Sequence, residues 1–110
     1  MRIHYKLNHD TPASKLADVE IHFEEGLLAG LKLVGASVWR SKKDEAPTVL
    51  VPSRPYATAG GVRYYELLRD TAQGEKEIGP AVKRFKEYIR DEYKKVAAMA
   101  VDEPAAAEGR

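Results

Sequence analysis

Hydrophobic and polar residues alternate over two segments near the start of the chain, residues 2–7 and 15–24. The apolar positions are Ile3, Tyr5 and Leu7 in the first segment and Ala17, Val19, Ile21 and Phe23 in the second. A period of two residues predicts β-strands with one face on a core and the other in water, as in antiparallel sheets. The polar face of the second segment is mostly acidic, which argues against phosphate binding there.

The apolar positions of residues 27–40, which we interpret as one long strand, change parity at Val34-Gly35. Such a change predicts a β-bulge or a bend in the strand. This strand should form a hairpin with the one before it. A charged loop over residues 41–47 then leads into the next apolar segment.

Residues 48–68 combine two apolar segments with a connection rich in proline and glycine. Two prolines follow residues 48–51 and should end that strand, because proline cannot donate to a ladder. Gly60-Gly61 suits the return point, so residues 62–68 are expected to pair back onto residues 48–51. The chain up to this point predicts an antiparallel meander of about five strands.

The period then becomes helical. Apolar residues recur at steps of three and four: Ile78, Val82, Phe85, Ile89, Tyr93 and Val96. This spacing predicts an amphipathic helix over residues 78–99, with Pro80 in its first turn. The fold class is therefore α+β, a five-stranded antiparallel β-sheet (meander) with a C-terminal amphipathic α-helix packed on it. In this interpretation residues 1–100 form a single domain and residues 101–110 form a flexible C-terminal tail.

Composition narrows the classes of function. The 110 residues include no cysteine, which excludes disulfides, thiolate zinc sites and a cysteine nucleophile. No apolar segment reaches the ~20 residues of a membrane helix and no signal peptide is recognisable, so we expect a cytoplasmic protein without membrane contacts. The three histidines, the serines and the carboxylates lack the spacing of metal or catalytic sites. We therefore expect no enzymatic activity, no cofactor, no metal and no small-molecule substrate.

The connection between the last two predicted strands carries Arg54, Tyr56 and Arg63. Guanidinium groups bind phosphates and an aromatic ring stacks on a base, so this set would suit nucleic acid. The alternative is that the arginines are ordinary surface charges, solvated or paired with Glu66. The residues by themselves favour that alternative, and they name no function.

Positive charge is concentrated in the predicted helix, although the net charge of the chain is only +1. Residues 76–95 contain seven Lys or Arg against four Asp or Glu. Lys83, Lys86, Arg90 and Lys94 form a strip along one flank of the apolar face, and such a strip would suit a nucleic-acid backbone. The alternative is a solvated face whose long side chains cover the apolar edge.

Residues 17–93, about three-quarters of the chain, resemble the SpoVG family (stage V sporulation protein G, a septation protein). Val49-Leu50-Val51-Pro52-Ser53-Arg54 is similar to the family's apolar strand ending in Met-Pro-Ser-(Arg/Lys). After Gly60-Gly61, Val62-Arg63-Tyr64 is similar to its Phe-Arg-Asp. In the helix, Ile78, Ala81-Val82 and Glu92-Tyr93 are similar to its Ile-x-x-Ala-Val and Glu-Tyr.

The resemblance implies a small homodimeric protein that binds DNA or RNA and regulates septation, sporulation or other gene expression, without catalysis and without a cofactor. The residues expected to contact nucleic acid are Arg54, Tyr56, Arg63, Lys83, Lys86 and Arg90. A homodimer is also expected because a second copy would cover an edge strand of so small a sheet, with Trp39 in the contact. The alternative function is a dimeric protein-interaction or structural module that binds no nucleic acid, which the acidic positions Asp18, Glu20 and Glu24 favour.

Overall fold

The computed structural model describes residues 1–10, 12–72 and 79–102. Four strands form an antiparallel sheet in the order β1-β2-β3-β4. They are β1 (Arg2–Leu7), β2 (Lys15–His22), β3 (Lys32–Arg40) and β4 (Pro47–Leu50). Two further strands, β5 (Ser53–Thr58) and β6 (Gly61–Glu66), form a separate two-stranded ribbon, and helix α1 spans Pro80–Asp102. The predicted α+β class, antiparallel pairing and C-terminal helix are confirmed.

One face of the four-stranded sheet and one side of α1 form the core. Its buried side chains come from three strands and the helix: Ala17, Val19, Ala36, Val38, Val49 and Ile89. The helix contacts both outer strands of the sheet, β1 and β4, so it lies across the whole sheet. Removing these apolar groups from water is the main force that holds the two layers together.

The predicted irregularity in β3 is confirmed. The pairing of β2 with β3 shifts by one residue between Val19 and Ile21, and the extra residue lies at Val34-Gly35. Gly35 has a φ of +101°, a conformation that only glycine adopts without strain. The bulge therefore explains why the apolar residues change parity at this point.

The predicted strand over residues 27–40 begins too early. Gly26–Leu28 form a short 3-10 helix, and β3 starts only at Lys32. The physical reason is that Gly26 and Gly30 both have a positive φ, which turns the chain back before the strand begins. Leu27, at the tip of this turn, is fully exposed.

The predicted five-stranded sheet is wrong. Within the described residues β4 pairs only with β3, and β6 pairs with β5 instead of returning to residues 48–51. Proline does not prevent β5, because each strand of a two-stranded ribbon has one edge that needs no ladder donor. Pro55 lies within β5, opposite Tyr64. The ribbon thus takes the place of the fifth strand.

A carboxylate distant in sequence caps the N-terminus of α1. The two oxygens of Asp70 accept hydrogen bonds from the backbone N–H groups of Ala81 and Val82, each at 2.8 Å. Gly79 makes this possible, because a Cβ at that position would clash with the Asp70 carboxylate. Pro80 is the first helical residue, in the first turn as predicted.

Two predictions fall partly outside the described residues. The first concerns Ile78, which was expected to open the apolar face of the helix and lies outside the described residues. The second concerns the expected tail, of which residues 103–110 lie outside them. Among the described residues, no helix has the length and apolar character needed to cross a membrane.

Candidate nucleic-acid interface

The ribbon consists of β5 and β6 alone, and both of its faces are open to water. Almost every side chain in it is exposed, and only Thr58 and Glu66 are half-buried. At its base the Leu67 N–H donates to the Pro52 carbonyl at 2.8 Å. At its tip the Thr58 hydroxyl donates to the Gly61 carbonyl at 2.7 Å. These bonds hold the ribbon in one register while its side chains remain available for contacts.

That register brings the three predicted ribbon residues onto one face. Arg54 lies opposite Tyr65, and Tyr56 lies opposite Arg63. Residues opposite each other in an antiparallel ladder share a face, as do residues two apart along a strand. Arginine and tyrosine therefore alternate across this surface, which we call the basic-aromatic face: Arg54, Tyr56, Arg63 and Tyr65.

The charged groups of this face are uncommitted. Among the described residues, neither Arg54 nor Arg63 forms an ion pair or a side-chain hydrogen bond. The expected alternative, pairing with Glu66, is not observed, because that carboxylate accepts from the Lys86 ammonium at 2.8 Å. Two guanidinium groups are thus free to bind anions.

The aromatic rings of the basic-aromatic face are accessible as well. Tyr56 is 42% exposed and Tyr65 is 38% exposed. The guanidinium of Arg69 lies over the Tyr65 ring, 4.6 Å from its centroid, and so adds a third arginine beside this face. Stacking and phosphate contacts are therefore both possible within one small surface.

Tyr65 was not among the residues predicted to contact nucleic acid. The signal that could have found it is the short turn: Thr58 pairs with Gly61, so only Ala59-Gly60 separates the strands. A two-residue turn fixes the register of a hairpin, and this register puts Tyr65 opposite Arg54. The predicted pairing of residues 62–68 with residues 48–51 did not place Tyr65 opposite Arg54.

The opposite side of the ribbon is apolar over most of its length. We call it the apolar face: Pro55, Ala57, Val62 and Tyr64. Val62 is 67% exposed and Tyr64 is 69% exposed. The ribbon thus has two unlike faces, neither of which is buried.

The three predicted helix residues form a second, separate surface. Lys83, Lys86 and Arg90 line an open groove of about 810 Å³ between α1 and the start of β4. Lys86 is engaged by Glu66, and the Arg90 Nε donates to Asp91 at 3.2 Å. Glu66 shares its side of the ribbon with the apolar face. At the base of the ribbon, the groove therefore lies on the side away from the basic-aromatic face.

The acidic positions expected to favour a protein partner are neutralised by neighbours. The ion pairs are Asp18 with Lys15, Glu20 with Lys32, and Glu24 with the N-terminal amine. Hydrogen bonds from His22 and then from Lys32 lower the pKa of the Glu20 carboxyl. The outer face of β2 therefore presents balanced charge.

Among the described residues, no three histidine, aspartate or glutamate side chains are grouped in a way that could hold a metal ion. Comparison with protein-family models, with curated proteins and with solved structures found no match to this chain.

Proposed function

We propose that this protein binds nucleic acid, DNA or RNA, through the basic-aromatic face of the ribbon, and that it is a non-enzymatic regulator of the SpoVG type. It acts in the cytoplasm as a homodimer, without a cofactor or a small-molecule substrate. The part in septation, sporulation or gene regulation follows from the family resemblance. The observation that carries the proposal is that Arg54 and Arg63, unpaired among the described residues, share a face with two exposed tyrosine rings.

Free guanidinium groups on a projecting element favour phosphate binding for a simple reason. No existing ion pair has to be broken, so the attraction of each arginine for a phosphate is not offset by the loss of an internal partner. Each phosphate contact also releases counterions, which makes binding weaken as salt rises.

The helix residues are proposed as auxiliary phosphate contacts. Lys86 and Arg90 would first have to leave Glu66 and Asp91. Lys83 is exposed and forms no ion pair among the described residues, so it is the strongest of the three. Because the groove and the basic-aromatic face lie on different sides of the ribbon, a nucleic acid that uses both must wrap around its base.

The homodimer is proposed from the open edge of β1, which pairs only with β2 among the described residues. A second copy added at this edge would satisfy its unpaired backbone groups. Trp39, half-buried with its Nε1 donating to the Ser37 hydroxyl at 2.8 Å, is the other expected contact. Two copies would present two basic-aromatic faces.

The test is binding of the purified protein to labelled DNA and RNA over a series of salt concentrations, with Arg54→Ala/Arg63→Ala beside the unchanged protein. We expect affinity to fall steeply with salt. The double variant should lose most binding and lower the slope of log K against log salt by about 2, since each phosphate contact contributes about 0.9 for duplex DNA.

The matched control is Lys42→Ala/Lys43→Ala, which removes the same charge from the exposed loop between β3 and β4. This variant should retain nearly all of the affinity. Binding that survives loss of both ribbon arginines would move the site to the helix groove. Absence of binding at low salt would overturn the proposal.

The second candidate function is a protein-interaction or structural module that binds no nucleic acid. The observation that favours it is exposed apolar surface, namely the apolar face of the ribbon and the fully exposed Leu27. An apolar contact of this kind would depend little on salt, so the same salt series separates the two functions.

A further inference from the structure

We infer that the basic-aromatic face is built for single-stranded nucleic acid and binds it in preference to a duplex. This inference rests on the proposed function and specifies which form of nucleic acid is bound. It is argued from the alternation of arginine and tyrosine on one exposed surface and from the small number of charges available there.

The tyrosine rings are the first argument. Tyr56 and Tyr65 are diagonal neighbours on the ribbon, a relation that puts the two residues roughly 7–8 Å apart, with their Cβ atoms somewhat closer. A tyrosine ring on this exposed face can stack only on a base whose own ring face is not already covered. In a duplex those faces are covered by neighbouring base pairs, whereas in a single strand they are available.

The charge of this face is the second argument. A protein that binds a duplex through its phosphate backbone can make about 6–10 phosphate contacts. Here Arg54 and Arg63 are the uncommitted charges on the face, and Arg69 lies beside it on the Tyr65 ring. So few charges need a further source of affinity, and base stacking on aromatic rings supplies it for single strands.

The chemistry of base readout is the third argument. A two-stranded ribbon can enter the major groove, where arginine reads guanine and asparagine or glutamine reads adenine. The four side chains of the basic-aromatic face include no asparagine and no glutamine, so in a major groove this face could read guanine through its arginines but not adenine. Its two tyrosines instead offer flat surfaces that accept any base, which favours binding with little sequence preference.

Arg69 is a positioning residue in this arrangement. Its guanidinium covers one side of the Tyr65 ring and holds the ring near the base of the ribbon. The ring keeps its remaining exposed surface for a base. A cation on one face of an aromatic ring also keeps positive charge next to the stacked nucleotide.

The experiment measures fluorescence anisotropy of three labelled probes at fixed salt: a 12-nucleotide single-stranded DNA without self-complementarity, the single-stranded RNA of the same sequence, and the matching DNA duplex. We expect one or both single strands to bind at least about tenfold more tightly than the duplex. The ratio between the RNA and DNA strands shows whether the 2′-hydroxyl contributes, and binding of either strand at least about tenfold tighter than the duplex supports the inference.

Variants locate the contact. Tyr56→Ala/Tyr65→Ala should weaken single-strand binding by about a hundredfold, because two stacking rings are lost and each stacked base contributes roughly a tenfold change. Its slope against salt should stay unchanged, since no phosphate contact is lost. Tyr56→Phe/Tyr65→Phe keeps both rings and should bind within about threefold of the unchanged protein. Tyr64→Ala, on the apolar face, is the matched control and should bind normally.

Each outcome separates this inference from the proposed function. Duplex binding as tight as single-strand binding overturns the inference and leaves nucleic-acid binding in place. A loss of binding in Tyr64→Ala as large as in the double alanine variant also overturns it. Binding to none of the three probes overturns both. Circular dichroism of every variant confirms that the fold is intact before binding is compared.

Discussion

We call the four-stranded sheet together with α1 the body of the protein. In the body and in the ribbon alike, the strand residues alternate between two faces, but only the body buries one of those faces. Along β2 every second side chain is buried, and Ala17 has no exposed surface. Along β5 and β6 the same alternation leaves nearly all side chains in water. The body has a helix over one face, whereas among the described residues the ribbon has no covering element.

Alternation therefore indicates that a strand has two unlike faces, but not what covers them. An isolated two-stranded hairpin is marginally stable in water, so this ribbon depends on its closure at Pro52 and on its link to the helix through Glu66 and Lys86. Apolar and aromatic groups held in this way outside the core are available to a partner.

The same substitution should have different costs in the two regions. Val38→Ala removes a fully buried side chain of the core and should lower the free energy of unfolding by about 2 kcal/mol, because the lost burial leaves a cavity. Val62→Ala, at an exposed ribbon position, should change it by less than about 0.5 kcal/mol. Urea unfolding followed by circular dichroism measures both values. Equal costs would mean that the ribbon is buried in solution, for example in a dimer.

Removal of the helix cap should have the next largest effect. Asp70→Ala deletes both acceptors at the N-terminus of α1 and should cost about 1 kcal/mol of stability, whereas Asp70→Asn keeps one acceptor and should cost less. Asp44→Ala is the control, because that carboxylate also accepts a backbone N–H, from Ala46, in an exposed loop. If the two alanine variants lost equal stability in thermal unfolding, the helix would not depend on this cap.

Alkaline pH should act on the body. Burial of its hydroxyl and then the neighbouring Glu92 carboxylate raise the pKa of Tyr5 above its ordinary value. A group whose folded pKa lies above its unfolded pKa stabilises the protein fully below the unfolded value, about 10, and loses that contribution as pH rises further. Tyr5→Phe should therefore reduce the loss of stability between about pH 9 and 11 in urea unfolding.

Removal of the ribbon should have the smallest effect on stability. Replacing residues 54–65 with Asn-Gly joins Ser53 to Glu66, which already lie opposite each other, through a two-residue turn. The body should change in unfolding free energy by less than about 1 kcal/mol, since the deleted side chains are outside the core. The variant should lose nucleic-acid binding. A variant that fails to fold would show that the ribbon is part of the body.

Much of the body follows from sequence because its signals are local. The alternation in β1 and β2, the parity change at Gly35 and the helical period after Pro80 each lie within one element. The Asp70 cap could not be predicted in the same way, since it joins residues eleven positions apart.

The ribbon was harder to predict because two opposing signals met there. Proline argued against a strand at residues 53–58, although an edge position removes that objection. Arg54, Tyr56 and Arg63 share one face of the ribbon, but the position of Tyr65 on that face depends on the observed register. The rule that proline is excluded from strands applies to central strands and does not hold for a strand at a free edge.

The link between Glu66 and Lys86 has a mechanical consequence when it is taken together with the Asp70 cap. Both join the segment that leaves the ribbon to α1, at the amides of Ala81 and Val82 and one turn further along at Lys86. A pull on the β6 end of the ribbon would therefore reach the first turns of α1, whereas the β5 end is joined through two residues of backbone to β4. The helix, anchored across β1 and β4, spreads that load over the whole layer beneath it.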